Sequence, residues 1–468
     1  MQPASDVSQI QLQRPAPETG RSITASFSRL MLTAGAVLFA LGCGNSYRPV
    51  VTAINPVGPA AQPQKYAVAI SQPTPTGNGL LTIVDFSGDS ILINATLGVA
   101  PYYLAVDSTG STGYTLNRDG TVNSFDISTQ LLSNAILQTT LIPGPAGSPL
   151  PNSIFPQGTN VYITEPGRNF VAQLQNTPPA LRQELPVGPN VVYIAGVANA
   201  PRIYAISQNA SGNGQVTPIE TASNTTDTPI AVGQRPVYGV MTGDGKRAFI
   251  LNQGSNSVTV INAQTNKIDT PTLLPAGTIP VGAAPVWADL APTRTELVVV
   301  NAGSNGSRGS VSVINIPLCS AVALTTNPNC DANNPVDAVG FGQVLGTVPV
   351  GVNPVVVSVL QDGTRAYVAN FGDSVTCPST IPSASAIPPS KGCGTVSVVN
   401  LTTNTVTATI PVAGHPTFLA ATTGTPTGKI YVTSTETSLM TVLRTDIDTV
   451  QTYIDLQGAG GQVRMTAP

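Results

Sequence analysis

The chain has 468 residues, of which 41% are hydrophobic and only 9% are charged, against about a quarter charged in an average soluble protein. The net charge is −3 and no run of Lys or Arg occurs, so the sequence indicates no nucleic-acid partner. Its 44 Gly and 42 Pro residues are spread along the chain, which predicts many regularly spaced turns rather than one disordered tail.

Residues 1–43 are predicted to be a targeting segment. Three Arg residues precede an apolar stretch at 31–41, which is too short to span a bilayer as a mature helix. The stretch ends in Ala40-Leu41-Gly42-Cys43, which resembles a bacterial lipobox. We therefore expect lipidation of Cys43 and an exported lipoprotein anchored to the membrane in the periplasm or at the cell surface. An ordinary signal peptide, with Cys43 incidental, is the alternative.

Residues 44–64 are predicted to form a linker with room for one strand, and residues 65–468 repeat one pattern. A short strand that ends in a four-residue motif recurs about every 45 residues, a spacing that indicates a repeat architecture. The motif usually begins with an aromatic residue. Its copies are Tyr66–Ala69, Tyr114–Asn117, Tyr162–Glu165, Tyr204–Ser207, Phe249–Asn252, Val298–Asn301, Tyr367–Asn370 and Tyr431–Ser434.

Two further landmarks accompany this motif. An apolar residue followed by Gly-x-x-Pro precedes it, as in Val232–Pro236 and Val350–Pro354. An alternating strand and a polar turn follow it, as in Val258–Asn262 and Val396–Asn400. One unit therefore reads as a loop and four antiparallel strands, a to d, which is the spacing of a propeller blade. Packing such blades in a ring buries their apolar faces and removes exposed ends.

These landmarks resemble the forty-residue YVTN β-propeller repeat family, whose blades carry G-x-x-P, Y-V-x-N and V-S-V-I-D-x-x-x-N. The resemblance covers roughly residues 48–460 and is weaker between Leu141 and Ala231, where Gly144 and Gly188 lack the regular Pro spacing. It implies an all-β propeller and frequent export. It implies no single activity, because one scaffold hosts many functions.

Counting the motifs predicts one propeller domain of eight four-stranded antiparallel blades, with seven blades as the alternative. The N-terminal unit has three clear strands and needs a fourth. Either Pro49–Ile54 or the C-terminal stretch Gln462–Thr466 supplies it, and the second choice would close the ring by pairing the two ends of the chain.

The four Cys residues other than Cys43 fall as two close pairs inside two polar insertions, 317–342 and 374–394. Outside the cytoplasm this spacing predicts local disulfides, Cys319 to Cys330 and Cys377 to Cys393. A metal site is the rival interpretation. Neither pair has C-x-x-C spacing and the only His, His415, is remote in sequence, so no metal is expected.

The candidate binding face follows from the strand order. His415 lies in a loop between strand d of one blade and strand a of the next. The insertion with Cys377 and Cys393 joins strands b and c and leaves the blade on this same face, whereas insertion 317–342 joins c and d and leaves on the opposite face. We therefore take His415, Cys377 and Cys393 as the candidate binding face, and expect Trp287 to pack in the core or the central channel.

No catalytic motif accompanies these residues: G-x-S-x-G and the phosphate-binding G-x-x-x-x-G-K-[ST] are both missing from the sequence. We expect a monomeric, lipid-anchored binding or interaction module without a cofactor, whose ligand is a protein or a carbohydrate. A lactonase-like hydrolase is the alternative, and a quinone-dependent redox partner is a third possibility without a motif. Buried carboxylates and an Arg that converge on the channel mouth would favour the enzyme.

Overall fold

The computed structural model describes most of the chain beyond residue 64. The described residues are 65–127, 136–176, 179–269, 277–291, 293–304, 306–317, 340–382, 392–422 and 428–466. Cys43, Cys319, Cys330 and the candidate strand Pro49–Ile54 lie outside them. The lipidation site, the linker and the disulfide between Cys319 and Cys330 therefore remain predictions.

The described residues form 34 strands and no helix. They make eight antiparallel sheets arranged as the blades of a β-propeller, so the all-β prediction and the count of eight blades are confirmed. The first three strands belong to the blade that closes the ring, here called blade 8. They are β1 (Tyr66–Gln72), β2 (Asn78–Asp85) and β3 (Ser90–Val99).

Blades 1 to 7 follow in chain order, each built from its innermost strand outwards, and β34 is the innermost strand of blade 8. In blades 3 and 4 the outermost strand is broken into two pieces. The strands are, in blade 1, β4 (Pro101–Val106), β5 (Thr112–Asn117), β6 (Thr121–Asp126) and β7 (Leu137–Thr140); in blade 2, β8 (Ile154–Gln157), β9 (Asn160–Glu165), β10 (Phe170–Asn176) and β11 (Pro179–Pro186); in blade 3, β12 (Val191–Ala195), β13 (Arg202–Gln208), β14 (Asn213–Glu220), β15 (Thr225–Thr226) and β16 (Ile230–Gln234); in blade 4, β17 (Pro236–Met241), β18 (Arg247–Asn252), β19 (Ser257–Asn262), β20 (Lys267–Ile268) and β21 (Thr278–Pro280); in blade 5, β22 (Pro285–Ala291), β23 (Glu296–Asn301), β24 (Arg308–Asn315) and β25 (Val344–Val352); in blade 6, β26 (Pro354–Val359), β27 (Arg365–Val375), β28 (Cys393–Asn400) and β29 (Thr405–Pro411); in blade 7, β30 (Phe418–Thr422), β31 (Lys429–Thr433), β32 (Leu439–Arg444) and β33 (Thr449–Asp455); and in blade 8, β34 (Ala459–Met465).

The C-terminal strand closes the ring. β34 pairs antiparallel with β1, and Val463 lies opposite Ala69. On its other sides β34 contacts the innermost strands of blades 7 and 1, β30 and β4. Of the two candidate stretches, the C-terminal one, Gln462–Thr466, therefore overlaps the strand that closes the ring, Ala459–Met465. Pairing the two ends of the chain covers strand edges that would otherwise be open.

The register of blade 8 corrects one part of the sequence prediction. In blade 8, Tyr66 lies opposite Asp85, the last residue of strand c. In blade 4 the equivalent position is held by Arg247, which lies opposite Asn262, and the motif of that blade begins two residues later, at Phe249. The four-residue motif of this blade is therefore Val68–Ser71, two residues later than predicted. β1 is buried on both faces, so its hydrophobic pattern is nearly continuous and does not reveal a shift of two residues.

Two landmarks of the repeat occur together because they touch. Asn370 Nδ2 donates to the hydroxyls of Thr395 and Ser397, each at 2.9 Å, and its Oδ1 accepts the Gly351 backbone N–H at 3.1 Å. A Cβ on Gly351 would lie 2.5 Å from Asn370 Cγ, so only Gly fits. We call this contact the asparagine clip. The other Gly and Asn pairs in such close contact are Gly98 with Asn117, Gly233 with Asn252 and Gly282 with Asn301.

The Pro of Gly-x-x-Pro makes a second contact between blades. Pro354 of blade 6 packs on Gly309 of blade 5, where a Cβ would lie 2.4 Å from the Pro ring. This Gly is the second residue of strand c and leaves room for the ring. The same close pairs are Gly79 with Pro101, Gly214 with Pro236 and Gly394 with Pro416.

A third contact joins blades at the opposite face, which carries the a–b and c–d turns. The Tyr that begins the four-residue motif donates from its hydroxyl to an Asn or Asp in the c–d turn of the next blade, and we call this contact the tyrosine latch. That Asn or Asp has a positive φ of 52–57°, which these side chains tolerate in turns. The pairs are Tyr162 with Asn224, Tyr204 with Asn266, Tyr367 with Asp448 and Tyr431 with Asp89.

Candidate functional site

The loops that precede strand a and those that join strands b and c meet at one face, here called the Gly-x-x-Pro face. His415 lies there, between β29 and β30. Its Nδ1 is 2.5 Å from Glu436 Oε2, in the b–c loop of blade 7, and its ring lies 5.8 Å from the ring of Phe371 of blade 6. The carboxylate therefore orients the imidazole.

The structure joins Cys377 and Cys393 by a disulfide, with the two Cα atoms 5.0 Å apart. Gly394, the next residue, donates its backbone N–H to the Gly414 carbonyl at 3.0 Å, beside His415. The disulfide and His415 therefore lie close together on the Gly-x-x-Pro face. The described part of the insertion extends away from the channel, because the Thr380 hydroxyl lies 3.4 Å from that of Tyr453 on the outermost strand of blade 7.

A chain of aromatic rings occupies the centre of the propeller. Tyr193, Tyr238 and Trp287 come from the innermost strands of blades 3, 4 and 5, with ring centroids 4.5 and 4.2 Å apart. Trp287 then meets Phe418 of blade 7 at 5.5 Å, edge to face. Blades 5 and 7 are not neighbours, so this contact crosses the channel, and Trp287 packs there as expected. Arg464 lies over Phe418 at 4.2 Å.

One carboxyl group is buried in this same layer of strands. Asp289 of β22 accepts the backbone N–H of Leu290 at 2.9 Å and that of Val359 in the next blade at 2.8 Å. Burial raises the pKa of Asp289 to about 6, because it disfavours the charged form more than these two donors favour it. Burial also raises the pKa of Tyr193 and Tyr238 well above the usual value, so both hydroxyls keep their protons.

A cavity of about 740 Å³ opens on the Gly-x-x-Pro face above blades 7, 8 and 1, and we call it the closure cavity. Tyr102 and Phe418 supply aromatic surface to its wall. Arg118 lies over the Tyr102 ring at 5.6 Å, and the Glu436 carboxylate that holds His415 also lines the wall. Gln462 lies in the same wall and its Oε1 accepts the Leu104 backbone N–H at 2.9 Å.

The closure cavity combines two aromatic rings with groups that donate and accept hydrogen bonds. Its polar wall has one carboxylate, Glu436, and one guanidinium, Arg118, besides amides and hydroxyls. A solvent-exposed Arg and a single carboxylate do not make the buried carboxylate cluster that a hydrolase at the channel mouth would need. The wall is suited to holding a polar ligand that also has an apolar face.

Two further cavities open on the same face. One, of about 600 Å³, lies over blades 4, 5 and 6 and includes Arg235 and Phe371. The other, of about 420 Å³, lies between blades 1 and 2 under the loop 140–151, and we call it the blade 2 cavity. The described part of the candidate binding face thus has at least three indentations. Glu436 connects the His415 pair to the closure cavity, and Phe371 connects it to the cavity over blades 4, 5 and 6.

Sequence reasoning did not single out the residues of the closure cavity. It placed His415, Cys377 and Cys393 on this face, but not Tyr102, Phe418 or Gln462. A usable signal existed for Phe418, because an aromatic residue stands two positions after the Pro of several units, as Tyr238 follows Pro236. Tyr102 stands one position after Pro101 and escapes this signal. Gln462 lies on the closing strand β34, at the other end of the chain from Tyr102, so only ring closure reveals the site.

Within the described ranges no group of three or more His, Cys, Asp or Glu side chains is placed to hold a metal ion. The same ranges contain no helix long and apolar enough to cross a membrane.

Comparison with known proteins supports the fold. No protein-family model matches the chain, and no curated protein sequence is similar to it. Solved structures do match it. The dihydro-heme d1 dehydrogenase NirN, in complex with DHE, aligns with a TM-score of 0.59 at 12% identity over 86% of this chain and 76% of NirN.

Two further propellers give similar values. Apo AztD from Citrobacter koseri aligns with a TM-score of 0.52 at 11% identity over 86% of this chain and 97% of AztD. A Bacteroides fragilis protein provisionally called a 6-phosphogluconolactonase aligns with a TM-score of 0.50 at 12% identity over 87% of this chain and 99% of its own. At such identities the likeness is one of fold alone.

Proposed function

We propose that this protein is an exported, lipid-anchored propeller of the YVTN repeat type that binds a carbohydrate in the closure cavity. The observation that carries the proposal is the lining of that cavity, where the rings of Tyr102 and Phe418 stand among amide, hydroxyl and charged side chains. A volume of about 740 Å³ lies in the usual range of small-molecule sites, several hundred Å³.

Sugars match this lining for a physical reason. The C–H face of a pyranose ring is apolar and packs on an aromatic face, as on Tyr102. The hydroxyl groups around the rim need both donors and acceptors, which amide, hydroxyl and carboxylate side chains supply together. Gln462 and Glu436 stand beside the two rings and offer these groups.

Binding to an array of immobilised oligosaccharides, followed by calorimetry with the best of them, tests the proposal. We expect Tyr102→Ala and Phe418→Leu each to lower the affinity by about tenfold or more, because the first loses stacking surface and the second loses packing in the apolar wall of the cavity. Tyr453→Ala, a Tyr on the outer strand of blade 7, is the matched control and should bind normally. If no oligosaccharide binds, or if both cavity variants bind as the wild type does, the carbohydrate proposal is wrong.

The lipid anchor is tested apart from the ligand. Cys43→Ser should move the protein from the membrane fraction to the soluble exported fraction and abolish labelling with a radioactive fatty acid, because the modified thiol is gone. Cys377→Ser is the control and should keep both. Unchanged partitioning of Cys43→Ser would contradict the anchor.

A lactonase-like hydrolase is the second candidate, and the hydrogen bond from His415 to Glu436 is the observation that favours it. A carboxylate on Nδ1 orients an imidazole for base chemistry at its other nitrogen. If the protein hydrolyses lactones, His415→Ala should lose at least 100-fold in kcat/KM while Tyr453→Ala keeps it. Absence of turnover by the wild type with a panel of sugar lactones would remove this candidate.

A further inference from the structure

The second unit of the repeat departs from the others at one charged residue. The last residue of the four-residue motif is Asn or Ser in blades 1 and 3 to 7, and in blade 8 it is Ser71 once the register is corrected. In blade 2 it is Glu165. A carboxyl group thus stands where the other blades place a neutral side chain.

The same blade lacks the Pro contact. A Cβ on Gly309 would collide with Pro354, whereas a Cβ on Gly120, the corresponding residue of blade 1, would meet nothing within 4 Å. Gly120 lines the blade 2 cavity. The cavity of about 420 Å³ therefore lies where other blade junctions are filled by the Pro ring, and the loop 140–151 arches over it.

Glu165 lies at the wall of this cavity with one oxygen unused. Its Oε2 accepts from Arg168 Nη1 at 3.1 Å, and Arg168 also binds Glu184 through both terminal nitrogens, at 2.9 Å for Nη2. Glu165 is 3% exposed, and among the described residues its buried Oε1 has no hydrogen-bond partner. A buried acceptor without a donor is costly, so the site is incomplete as it stands.

The charges around this oxygen select the ligand. Two carboxylates face one guanidinium, which leaves one negative charge when Glu165 is ionised. The remaining charged residues of the cavity, Arg118 and Asp119, cancel each other. The wall beyond them is rich in Pro and apolar residues of the loop 140–151.

We propose that the blade 2 cavity binds the ammonium group of a small alkylamine, whose N–H donates to Glu165 Oε1 while its alkyl chain packs under the loop 140–151. The ligand class is a primary amine and not a quaternary ammonium, because the unpaired oxygen needs an N–H donor. The ammonium brings the positive charge that the Glu165, Arg168 and Glu184 group lacks.

Binding depends on pH in a defined direction. Burial raises the pKa of Glu165 to about 7, Arg168 opposes the shift and Glu184 adds to it. The ligand stays protonated throughout this range and binds the ionised carboxylate. Between pH 6 and pH 8 the ionised fraction rises from roughly a tenth to nine tenths, so the affinity should rise about tenfold.

The test uses two probes of equal charge and alkyl chain, n-butylammonium and butyltrimethylammonium, with the full-length protein. Chemical-shift titration at pH 6 and pH 8 should give about tenfold tighter binding of n-butylammonium at pH 8 and at least tenfold weaker binding of the quaternary ion. Glu165→Gln should abolish both the binding and its pH dependence. Glu220→Gln, which alters the Arg202 ion pair of blade 3 outside the cavity, should leave both unchanged.

A second variant removes the cavity roof without touching the carboxyl group. A Cβ on Gly167 would lie 2.3 Å from Ser148 Cβ, so Gly167→Val should push the loop away and weaken n-butylammonium binding at least fivefold while thermal unfolding stays cooperative. Equal affinity for the two probes, normal binding by Glu165→Gln, or no binding of n-butylammonium to the wild type would each overturn the proposal.

Discussion

Blades 2 and 6 share one contact and differ in another. At the turn face, Tyr162 of blade 2 and Tyr367 of blade 6 make the same tyrosine latch, at 2.5 Å to Asn224 and Asp448. At the Gly-x-x-Pro face, blade 6 has the asparagine clip and blade 2 has Glu165 and a cavity. One face of the ring is therefore uniform between these blades, and the other varies.

The difference follows from what each contact does. In the blades that follow blades 2 and 6, the latch ends on a four-residue c–d turn, Thr221–Asn224 and Thr445–Asp448. The clip lies under a loop between blades, and in blade 2 the longer loop 140–151 replaces it. The cavity with Glu165 in its wall lies where this loop has replaced the clip.

The largest loss of stability is expected at the turn face, where the tyrosine latch of blade 7 ends on Asp89. Asp89 accepts from Lys429 Nζ at 2.8 Å and from the Tyr431 hydroxyl at 3.1 Å, and the Lys429 side chain is only 3% exposed. Asp89→Ala leaves this ammonium buried without its carboxylate, so we expect a loss of about 3–5 kcal/mol in the free energy of unfolding. Denaturant titration measures it.

Asp446→Ala is the control for that experiment, because its partner Arg444 is a solvent-exposed residue of the same blade. Exposed pairs of this kind contribute little, so this variant should unfold as the wild type does. Equal losses of unfolding free energy for Asp89→Ala and Asp446→Ala would contradict the prediction that the buried contact at the turn face contributes more than an exposed ion pair.

A smaller effect is expected from the Gly and Pro contact that blade 2 lacks. Gly309→Ala puts a methyl group 2.4 Å from the Pro354 ring, which should destabilise the fold by about 1–3 kcal/mol through overpacking. Gly243→Ala, in a turn with nothing within 4 Å of the new methyl group, should change little. A neutral Gly309→Ala would show that the junction of blades 5 and 6 has as much room as that of blades 1 and 2.

Glu165, which distinguishes blade 2 from blade 6, should make the stability of the fold depend on pH. Its folded pKa of about 7 is above the ordinary value of 4.5, so ionisation costs the folded state free energy as the pH rises through this window. Glu165→Gln removes that cost. It should be nearly neutral at pH 5 and stabilising by about 1–2 kcal/mol at pH 8, as measured by thermal unfolding at the two pH values.

Glu184→Gln should act with the opposite sign. Arg168 lowers the pKa of Glu184, so this carboxylate stabilises the fold above the ordinary pKa of Glu and the contribution is lost as the pH falls. The variant should therefore be less stable than the wild type at pH 8. If both variants change the free energy of unfolding in the same direction, the pKa values of Glu165 and Glu184 are not shifted in opposite directions.

The smallest expected effect compares the two latches directly. Tyr162→Phe and Tyr367→Phe each delete one hydroxyl that donates to the next blade. Each should cost about 1 kcal/mol, the usual net contribution of a hydrogen bond. A clearly larger loss for one of them would show that the turn face is not uniform either.

The amino-acid sequence by itself determined the blade. Alternating strands, polar turns and a spacing of about 45 residues are local properties, and they predicted the all-β fold, the eight blades and the disulfide of Cys377 with Cys393. They left two stretches, Pro49–Ile54 and Gln462–Thr466, as candidates for the closing strand. They failed at Tyr66, because a strand buried on both faces carries no alternation that reveals a shift of two residues.

Only the tertiary structure decided what the faces contain. Tyr102, Phe418 and Gln462 meet because the two ends of the chain pair, and no local pattern encodes which loops become neighbours when a ring closes. Glu165 could be read from the sequence as a break in the repeat. That its free oxygen is buried beside a cavity depends on the packing of the loop 140–151, which has no periodicity of its own.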